Sequence, residues 1–191
     1  MTAATTAAAG FWRRTAAWVL DFLVLGTIAA TLAWTPMQSG WATARAAANL
    51  LSARTAQALV DGMLDGVRLP VLVQMLLHDP RLLEAATALQ AGLWQLAMPW
   101  LLGYALLALA WHVGGELSPW QGSPGKHVLG LRVTDLQGRR LSLPRALLRH
   151  AAGSLSWLAL NLGHLLAALP PHKRALHDWI AGARVVHRRR G

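Results

Sequence analysis

Asp21 is the residue of this chain whose position most needs a chemical explanation. It lies inside the apolar stretch from Thr15 to Trp34, which as a helix is about 30 Å long and therefore long enough to cross a bilayer core. A charged carboxylate at the centre of such a helix costs on the order of 2.5–3.5 kcal/mol, and somewhat less near its end. A functional interpretation is that Asp21 faces a polar cavity and exchanges a proton or a cation. The structural alternative is that protonation, or a hydrogen bond from another helix, neutralises it.

Arg14 and Asp178 are the other two residues that we associate with this carboxylate. Arg14 precedes Asp21 by seven positions, about 20° from the same helical face and with ~10 Å between the backbones, so the two side chains meet only if both extend. The alternative is that Arg14 extends to the lipid headgroups. Asp178 follows His177 near the C-terminus, where such a pair is typical of a solvated surface. Further polar residues embedded in apolar sequence are candidate partners for Asp21: Arg149, His150, Asn161 and His164.

No set of residues with the spacing of an enzyme or metal site is present. The chain contains no cysteine, which excludes thiolate zinc sites and cysteine nucleophiles. His112 and Glu116 are one helical turn apart, but no third ligand has recognisable spacing, and Gly114 and Gly115 lie between the two residues. The run from Gly122 to Lys126 lacks the first glycine and the following hydroxyl residue of a phosphate-binding loop. We therefore predict no enzymatic activity, no cofactor and no metal.

Composition favours a membrane protein over a soluble helical bundle. The chain is 54% apolar and 14% charged, with a mean hydropathy of +0.36. A second apolar segment, from Leu93 to Val113, carries no formal charge. For the first segment a cleaved signal peptide is the alternative, but its apolar run is too long for a typical signal and contains Asp21, which favours an uncleaved helix.

The basic residues are distributed as in a membrane protein with a cytoplasmic C-terminal half. The net charge is +10, and residues from Gly114 onward contribute +9 of it, as twelve Lys and Arg against three acids. These residues flank apolar segments instead of alternating with aromatics, so anionic lipid is a better expected partner than nucleic acid. With Arg13 and Arg14 inside, the positive-inside rule places residues 37–92 outside and the loop 114–145 in the cytoplasm.

Turn and cap signals divide the rest of the N-terminal half. We expect residues 1–10 to be disordered and the first membrane helix to run from Trp12 to Trp34. Residues 37–92 form an external insert of two or three short helices. Asp79 can cap free amides while Pro80 occupies a first helical turn, so a helix starting there could continue into the second membrane segment.

The C-terminal half predicts a short cytoplasmic β-hairpin. Its strands are expected at His127–Val133 and Arg139–Ser142, joined by a turn that starts at Asp135 and ends at Gly138. Residues 151–169 are long enough to form a third membrane helix, but a single crossing would place the basic C-terminus outside, so we favour a re-entrant segment.

An interfacial helix is expected to follow the re-entrant segment. It would be followed by the basic tail 188–191. One face of the helix would carry four apolar residues: Leu176, Trp179, Ile180 and Ala183. The overall prediction is an all-α membrane protein with two transmembrane helices, apart from the small hairpin.

Three features together resemble the RDD family of small integral membrane proteins, which is named for one Arg and two Asp. They are the Arg that opens a membrane helix with Asp two turns later, the run GSPGKHVLGLRVTDLQGRRLSLPRALLR, and the run HKRALHDWIAGARVV. The resemblance implies that Arg14 (or Arg13), Asp21 and Asp178 are the family residues, and that the domain covers 11–187, with the insert 37–92 longer than expected. Further residues match the family's loop pattern: Gly125, Lys126, Gly130, Arg132, Asp135 and Gly138.

The resemblance implies a multi-pass protein of the bacterial cytoplasmic (inner) membrane and leaves two functions open. The first is exchange of a cation for protons, in which Asp21 binds the two in competition, Arg14 tunes its charge and Asp178 completes or gates the path. Because two spanning helices enclose an ion pathway poorly, the exchange hypothesis also predicts a homo-oligomer. The second is a non-catalytic adaptor or scaffold in which the same three residues form an internal polar lock.

Overall fold

The computed structural model of the protein describes residues 7–158, 166–168 and 173–188, which are mostly helical and include a two-stranded sheet. The described elements are α1 (Phe11–Leu32), α2 (Trp34–Leu64), α3 (Leu69–Leu77), α4 (Pro80–Leu117), α5 (Pro124–Val128), β1 (Leu131–Asp135), α6 (Leu143–Leu158), a 3₁₀ turn (Leu166–Ala168), α7 (Leu176–Ile180) and β2 (Ala183–His187). Two compact units contain them. One is Ile28–Gly103, and the other comprises residues 7–27 with the described residues from Tyr104 onward.

Among the described residues, two helices are candidate membrane spans, and they are the two that the sequence predicts. Helix α1 has 22 residues and a mean hydropathy of 1.7, and α4 has 38 residues and a mean hydropathy of 1.5. Only 22% of the apolar window of α1 and 11% of that of α4 are buried inside the protein. The remaining apolar side chains are therefore available to lipid, as expected of a spanning helix rather than of a soluble core.

The unit Ile28–Gly103 contains α2, α3 and the first part of α4. The predicted number of helices in the insert agrees with the structure, but the prediction that they are short was wrong for the first one, because α2 has 31 residues. Its alanine-rich sequence favours an uninterrupted helix, which ends just before Gly66, where φ is +65°. The start predicted at Asp79 is confirmed: the Arg81 N–H donates to Asp79 Oδ1 at 2.9 Å, and α4 continues to Leu117.

Helices α2 and α4 approach each other closely at two glycines. A Cβ atom added to Gly92 would lie 2.6 Å from the backbone nitrogen of Ala44, and one added to Gly40 would meet the backbone nitrogen of Leu96 at 2.5 Å. Both contacts are with backbone, which cannot move aside as a flexible side chain can. The pairing of α2 with α4 therefore depends on the absence of a side chain at these two positions.

The second unit is built around the two-stranded sheet. Strand β1 pairs with β2 in antiparallel register, with Val133 opposite Val185, and both of these side chains are buried. The predicted hairpin was therefore wrong in its second strand. Its first strand begins at Leu131 instead of His127, because His127 and Val128 belong to α5. The turn from Asp135 to Gly138 forms as predicted, with the Gly138 N–H donating to the Asp135 carbonyl at 3.1 Å. Pairing with the apolar, β-branched β2 buries Val133, which the polar sequence Arg139–Ser142 could not do.

Both ends of the described chain contact this sheet. Ala8 forms a bridge with Val186, and the Ala9 N–H donates to the Val185 carbonyl at 3.0 Å, so residues 7–10, for which we expected disorder, are ordered. The predicted interfacial helix is also shorter than expected, because α7 ends at Ile180 and Ala183 belongs to β2. Part of 151–169 lies outside the described residues, so the choice between a re-entrant segment and a third membrane helix stays a prediction.

We expect Gly92→Ala to destabilise the unit Ile28–Gly103, whereas Gly103→Ala in the same helix does not. Alanine is normally better than glycine in a helix by about 1 kcal/mol. At Gly92 the overlap with the Ala44 backbone should reverse this preference and cost about 1–3 kcal/mol. A Cβ at Gly103 meets its nearest atom, the Ala29 Cβ, only at 4.0 Å. Unfolding in detergent micelles measures both variants, and equal midpoints would contradict the close approach.

Candidate functional site

The Asp21 carboxylate is buried and accepts three hydrogen bonds from residues distant in sequence. Trp111 Nε1–H in α4 donates to Oδ1 at 2.8 Å, the Gly125 N–H donates to Oδ1 at 2.8 Å, and the Ser123 hydroxyl donates to Oδ2 at 2.5 Å. Asp21 is 2% exposed. Each donor reduces the cost of burying the carboxylate. Hydrogen bonds from other elements therefore supply the partners for Asp21 that its own helix does not.

The sequence around Gly125 explains how the loop reaches this carboxylate. Ser123 is the N-cap of α5 and has an extended backbone, with φ −62° and ψ 160°. Pro124 occupies the first turn of α5, where proline is common. A Cβ added to Gly125 would lie 2.9 Å from Asp21 Oδ1 and would overlap the carbonyl oxygen of Ala17. Glycine is thus needed where the loop backbone touches α1.

Asp178 is held by two arginines in a fully buried position. Arg14 Nη1 in α1 donates to Asp178 Oδ2, and Arg149 in α6 approaches Oδ1 with Nε at 2.9 Å and Nη2 at 2.8 Å. Arg14 also donates to the carbonyls of Ala9 at 3.1 Å and Lys173 at 2.6 Å. The sequence reading of Asp178 as part of a solvated surface is wrong, because its exposure is 0%.

Arg149 connects Asp178 to a second carboxylate, Glu116, at the end of α4. Arg149 Nη1 donates to Glu116 Oε1, and Lys126 Nζ in α5 donates to the same oxygen at 3.2 Å. Glu116 and Arg149 are 2% and 7% exposed. The sequence analysis considered Glu116 only as a metal ligand. The feature that could have indicated its ion pairs is that it is an isolated acid at the end of an apolar helix.

These residues form a chain of alternating charge with a buried centre and partly buried ends, which we call the charge chain: Arg14, Asp178, Arg149, Glu116 and Lys126. With Asp21, three cations meet three carboxylates, so the set is formally neutral. Burial alone would raise the pKa of Asp178, but Arg149, His177 and Arg14 hold that pKa well below its usual range. Burial lowers the pKa of Arg149, but the neighbouring Glu116 and Asp178 outweigh that effect and raise it.

The remaining predicted residues do not contact Asp21 within the described part of the chain. The rings of His150 and His112 are 6.0 Å apart, and burial lowers the pKa of His150. Arg14 lies on the same helix as Asp21 but bonds Asp178 instead. Asn161 and His164 lie outside the described residues.

This geometry suits carboxylates that hold neighbouring elements in position better than carboxylates that exchange protons. Asp178 is bracketed by guanidinium groups that keep it ionised, and Asp21 accepts from three donors. Asp178 is therefore satisfied by ion pairs and Asp21 by hydrogen bonds from uncharged donors.

Comparison with known proteins agrees with the family that the sequence resembles. The sequence profile of the RDD family matches residues 8–182, nearly the whole chain. The chain belongs to the RDD family. The arginine and the second aspartate that the resemblance indicated, Arg14 and Asp178, contact each other directly, while the first aspartate, Asp21, is bound by a separate set of donors.

One relative of this RDD protein is the uncharacterized protein YxaI of Bacillus subtilis (strain 168). It is 38% identical over 71 residues, which cover 37% of this chain and 46% of that protein. The match thus spans about half the length of the relative. No solved structure matches this RDD protein.

We expect Asp178→Asn to lower the free energy of unfolding by about 3–5 kcal/mol, because it leaves the partly buried Arg14 without its carboxylate and removes one of the two carboxylates that bind the buried Arg149. Since the folded pKa of Asp178 is depressed, its stabilisation is fully present above the unfolded value of about 3.9 and is lost as pH falls through the folded value.

The difference between native protein and variant should therefore be constant from about pH 5 to pH 8 and should shrink only in stronger acid. Denaturant unfolding in micelles at several pH values measures it. Asp65→Asn is the control, since it removes an exposed carboxylate and should change stability by no more than about 0.5 kcal/mol. A difference that disappears between pH 8 and pH 5 would contradict the ion pairing.

Proposed function

We propose that this RDD membrane protein is a non-catalytic adaptor, in which Asp21 and the charge chain lock the loop and sheet region after Tyr104 onto the spanning helix α1. The observation that supports this most strongly is the coordination of Asp21. Its carboxylate accepts three hydrogen bonds, from α4, from Ser123 and from the first turn of α5. A carboxylate with such donors fixes the elements that carry them.

The charge chain supports the same function from a second direction. Arg14 in α1 and Arg149 in α6 both bind Asp178 in α7, and Glu116 in α4 binds Arg149. Removing Asp178 would leave Arg14 without its carboxylate, and removing Glu116 would do the same to Lys126. Breaking a buried pair in this way is more costly than the pair is stabilising. Such an arrangement specifies one conformation of the region that an adaptor would present to a partner.

Cation–proton exchange is the second candidate, and the burial of Asp21 in a candidate spanning helix favours it. Intramembrane carboxylates commonly mark ion or proton pathways. The neighbours of Asp21, however, are an indole N–H, a backbone N–H and a hydroxyl that donates, whereas hard cations need several oxygen ligands. An exchanger would have to displace these donors in each cycle, and it would need a homo-oligomer to enclose a path. We therefore rank exchange second.

The location that we propose is the bacterial cytoplasmic membrane, crossed by α1 and α4, with the N-terminus and the loop 114–145 on the cytoplasmic side. The charge distribution supports this orientation, because the residues from Gly114 onward carry +9 of the net +10. The same basic residues make anionic lipid the expected partner. They do not alternate with aromatics on a soluble face, so we propose no nucleic-acid partner.

Two variants of Asp21 separate the lock from exchange. We expect Asp21→Ala to lower the free energy of unfolding by about 3 kcal/mol or more, since it leaves three buried donors without an acceptor. Asp21→Asn keeps one acceptor oxygen for Trp111 and Gly125, and Ser123 can reverse its hydrogen bond to accept from the new amide. The asparagine variant should therefore be much closer to native stability, which makes it a folded test of ion chemistry.

Proton flux driven by sodium, potassium or lithium gradients is then measured in proteoliposomes that contain the native protein or Asp21→Asn. The adaptor proposal expects no flux above that of protein-free vesicles for either protein. Flux in the native protein that disappears in the folded asparagine variant would replace the adaptor with an exchanger. An alanine variant as stable as the native protein would refute the lock itself.

A further inference from the structure

A cleft of about 840 Å³ lies at the N-terminal end of α1, and neither Asp21 nor any residue of the charge chain lines it. Three separate segments line it. They are Arg13 at the start of α1, residues 127–130 between α5 and β1, and His187 with Arg188 at the end of β2. Its volume is within the range of sites that bind small molecules or headgroups.

The polar side chains of this cleft are basic or able to become so. Arg188 Nη1 lies 2.8 Å from His127 Nδ1, and Arg13 Nη1 lies 3.4 Å from His187 Nδ1. Neither arginine forms an ion pair with a carboxylate among the described residues, and no acid lines the cleft there. Arg14, the neighbour of Arg13 in sequence, is instead neutralised by Asp178. The cleft therefore collects positive charge that the protein leaves without a counter-charge.

Backbone hydrogen bonds position the end of β2 at this cleft. The Arg188 N–H donates to the Gly130 carbonyl at 2.7 Å, and the His187 N–H donates to the Ala7 carbonyl at 3.2 Å. Two arginines that line one cleft repel each other unless an anion lies between them. Guanidinium groups bind phosphate oxygens with paired, charge-assisted hydrogen bonds, and imidazole N–H groups can add a donor each.

The surroundings of the cleft favour phosphate on a lipid over phosphate in solution. Arg13 is in the first turn of a candidate spanning helix, beside Trp12, which is 80% exposed, and the cleft's own Val128 is 73% exposed. Exposed tryptophan at the end of a spanning helix is typical of the headgroup level of a bilayer. Basic pockets at this level are suited to anionic headgroups.

We propose that Arg13, Arg188, His127 and His187 form a binding site for a phosphate group, carried by the headgroup of an anionic phospholipid. This deepens the lipid partner stated under the proposed function, because it assigns the contact to one cleft instead of to general surface charge. It does not depend on whether Asp21 acts as a lock or as an exchanger.

The test uses the full-length protein in neutral detergent micelles, titrated separately with short-chain phosphatidylglycerol, short-chain phosphatidylcholine and inorganic phosphate. Calorimetry gives the dissociation constants. We expect phosphatidylglycerol to bind at least about tenfold more tightly than phosphatidylcholine, and the double variant Arg13→Gln/Arg188→Gln to lose about tenfold or more. Arg145→Gln, which removes an exposed positive charge outside the cleft, should bind like the native protein.

The outcomes distinguish a lipid headgroup from free phosphate as the ligand, and they also show whether the cleft binds phosphate at all. Binding of phosphatidylglycerol but not of inorganic phosphate at millimolar concentration supports a headgroup site, and comparable binding of both supports the same site with free phosphate as a ligand. Equal affinity for the lipid in the native protein and the double variant would overturn the proposal, as would an equal loss in Arg145→Gln. Thermal unfolding of each variant shows whether it is folded. The variant Arg13→Lys/Arg188→Lys keeps the positive charge and so distinguishes loss of charge from loss of the guanidinium contacts.

Discussion

The structure of the unit that contains the site depends on one constraint: every charge buried in this apolar chain needs a partner of opposite charge or a set of hydrogen-bond donors. Asp178 meets this requirement with two arginines, and Glu116 meets it with Arg149 and Lys126. Because these partners come from α1, α4, α5, α6 and α7, satisfying the charges also fixes which elements pack together. Apolar packing alone would leave several helix arrangements close in energy, since lipid is as apolar as the side chains that it replaces.

Local features of the fold were accessible from sequence, and pairings between distant segments were not. Hydropathy over about 20 residues identifies the spans, and Asp79 with Pro80 identifies the start of α4, because both signals lie within a few turns of chain. The partner of β1 was missed because β2 begins about fifty residues later, and a strand of five residues followed by a turn predicts the nearest possible hairpin. The long α2 was missed because scattered charges suggested breaks that alanine-rich sequence does not require.

The candidate site was accessible in part, for a similar reason. Resemblance to the RDD family named Arg14, Asp21 and Asp178, but the spacing of Arg14 and Asp21 on one helical face suggested that they act together. In the structure they bind different elements, because a separation of ~10 Å along the helix suits two neighbouring partners better than one direct contact. The partners of Asp21 are a tryptophan, a serine and a backbone N–H, none of which carries a charge that a sequence search would select.

The same carboxylate cannot serve both proposed functions equally well. A lock needs donors that hold Asp21 at all times, whereas an exchanger needs ligands that release it on every cycle. Gly125 bears on this choice, because the loop backbone lies so close to α1 that a Cβ would lie 2.9 Å from Asp21 Oδ1. To admit a cation and its water, that loop would have to withdraw from α1, and Lys126 in the same short helix would have to leave Glu116 as it did so. Releasing Asp21 would thus disturb the charge chain as well, and this coupling favours a fixed structural role for the carboxylate.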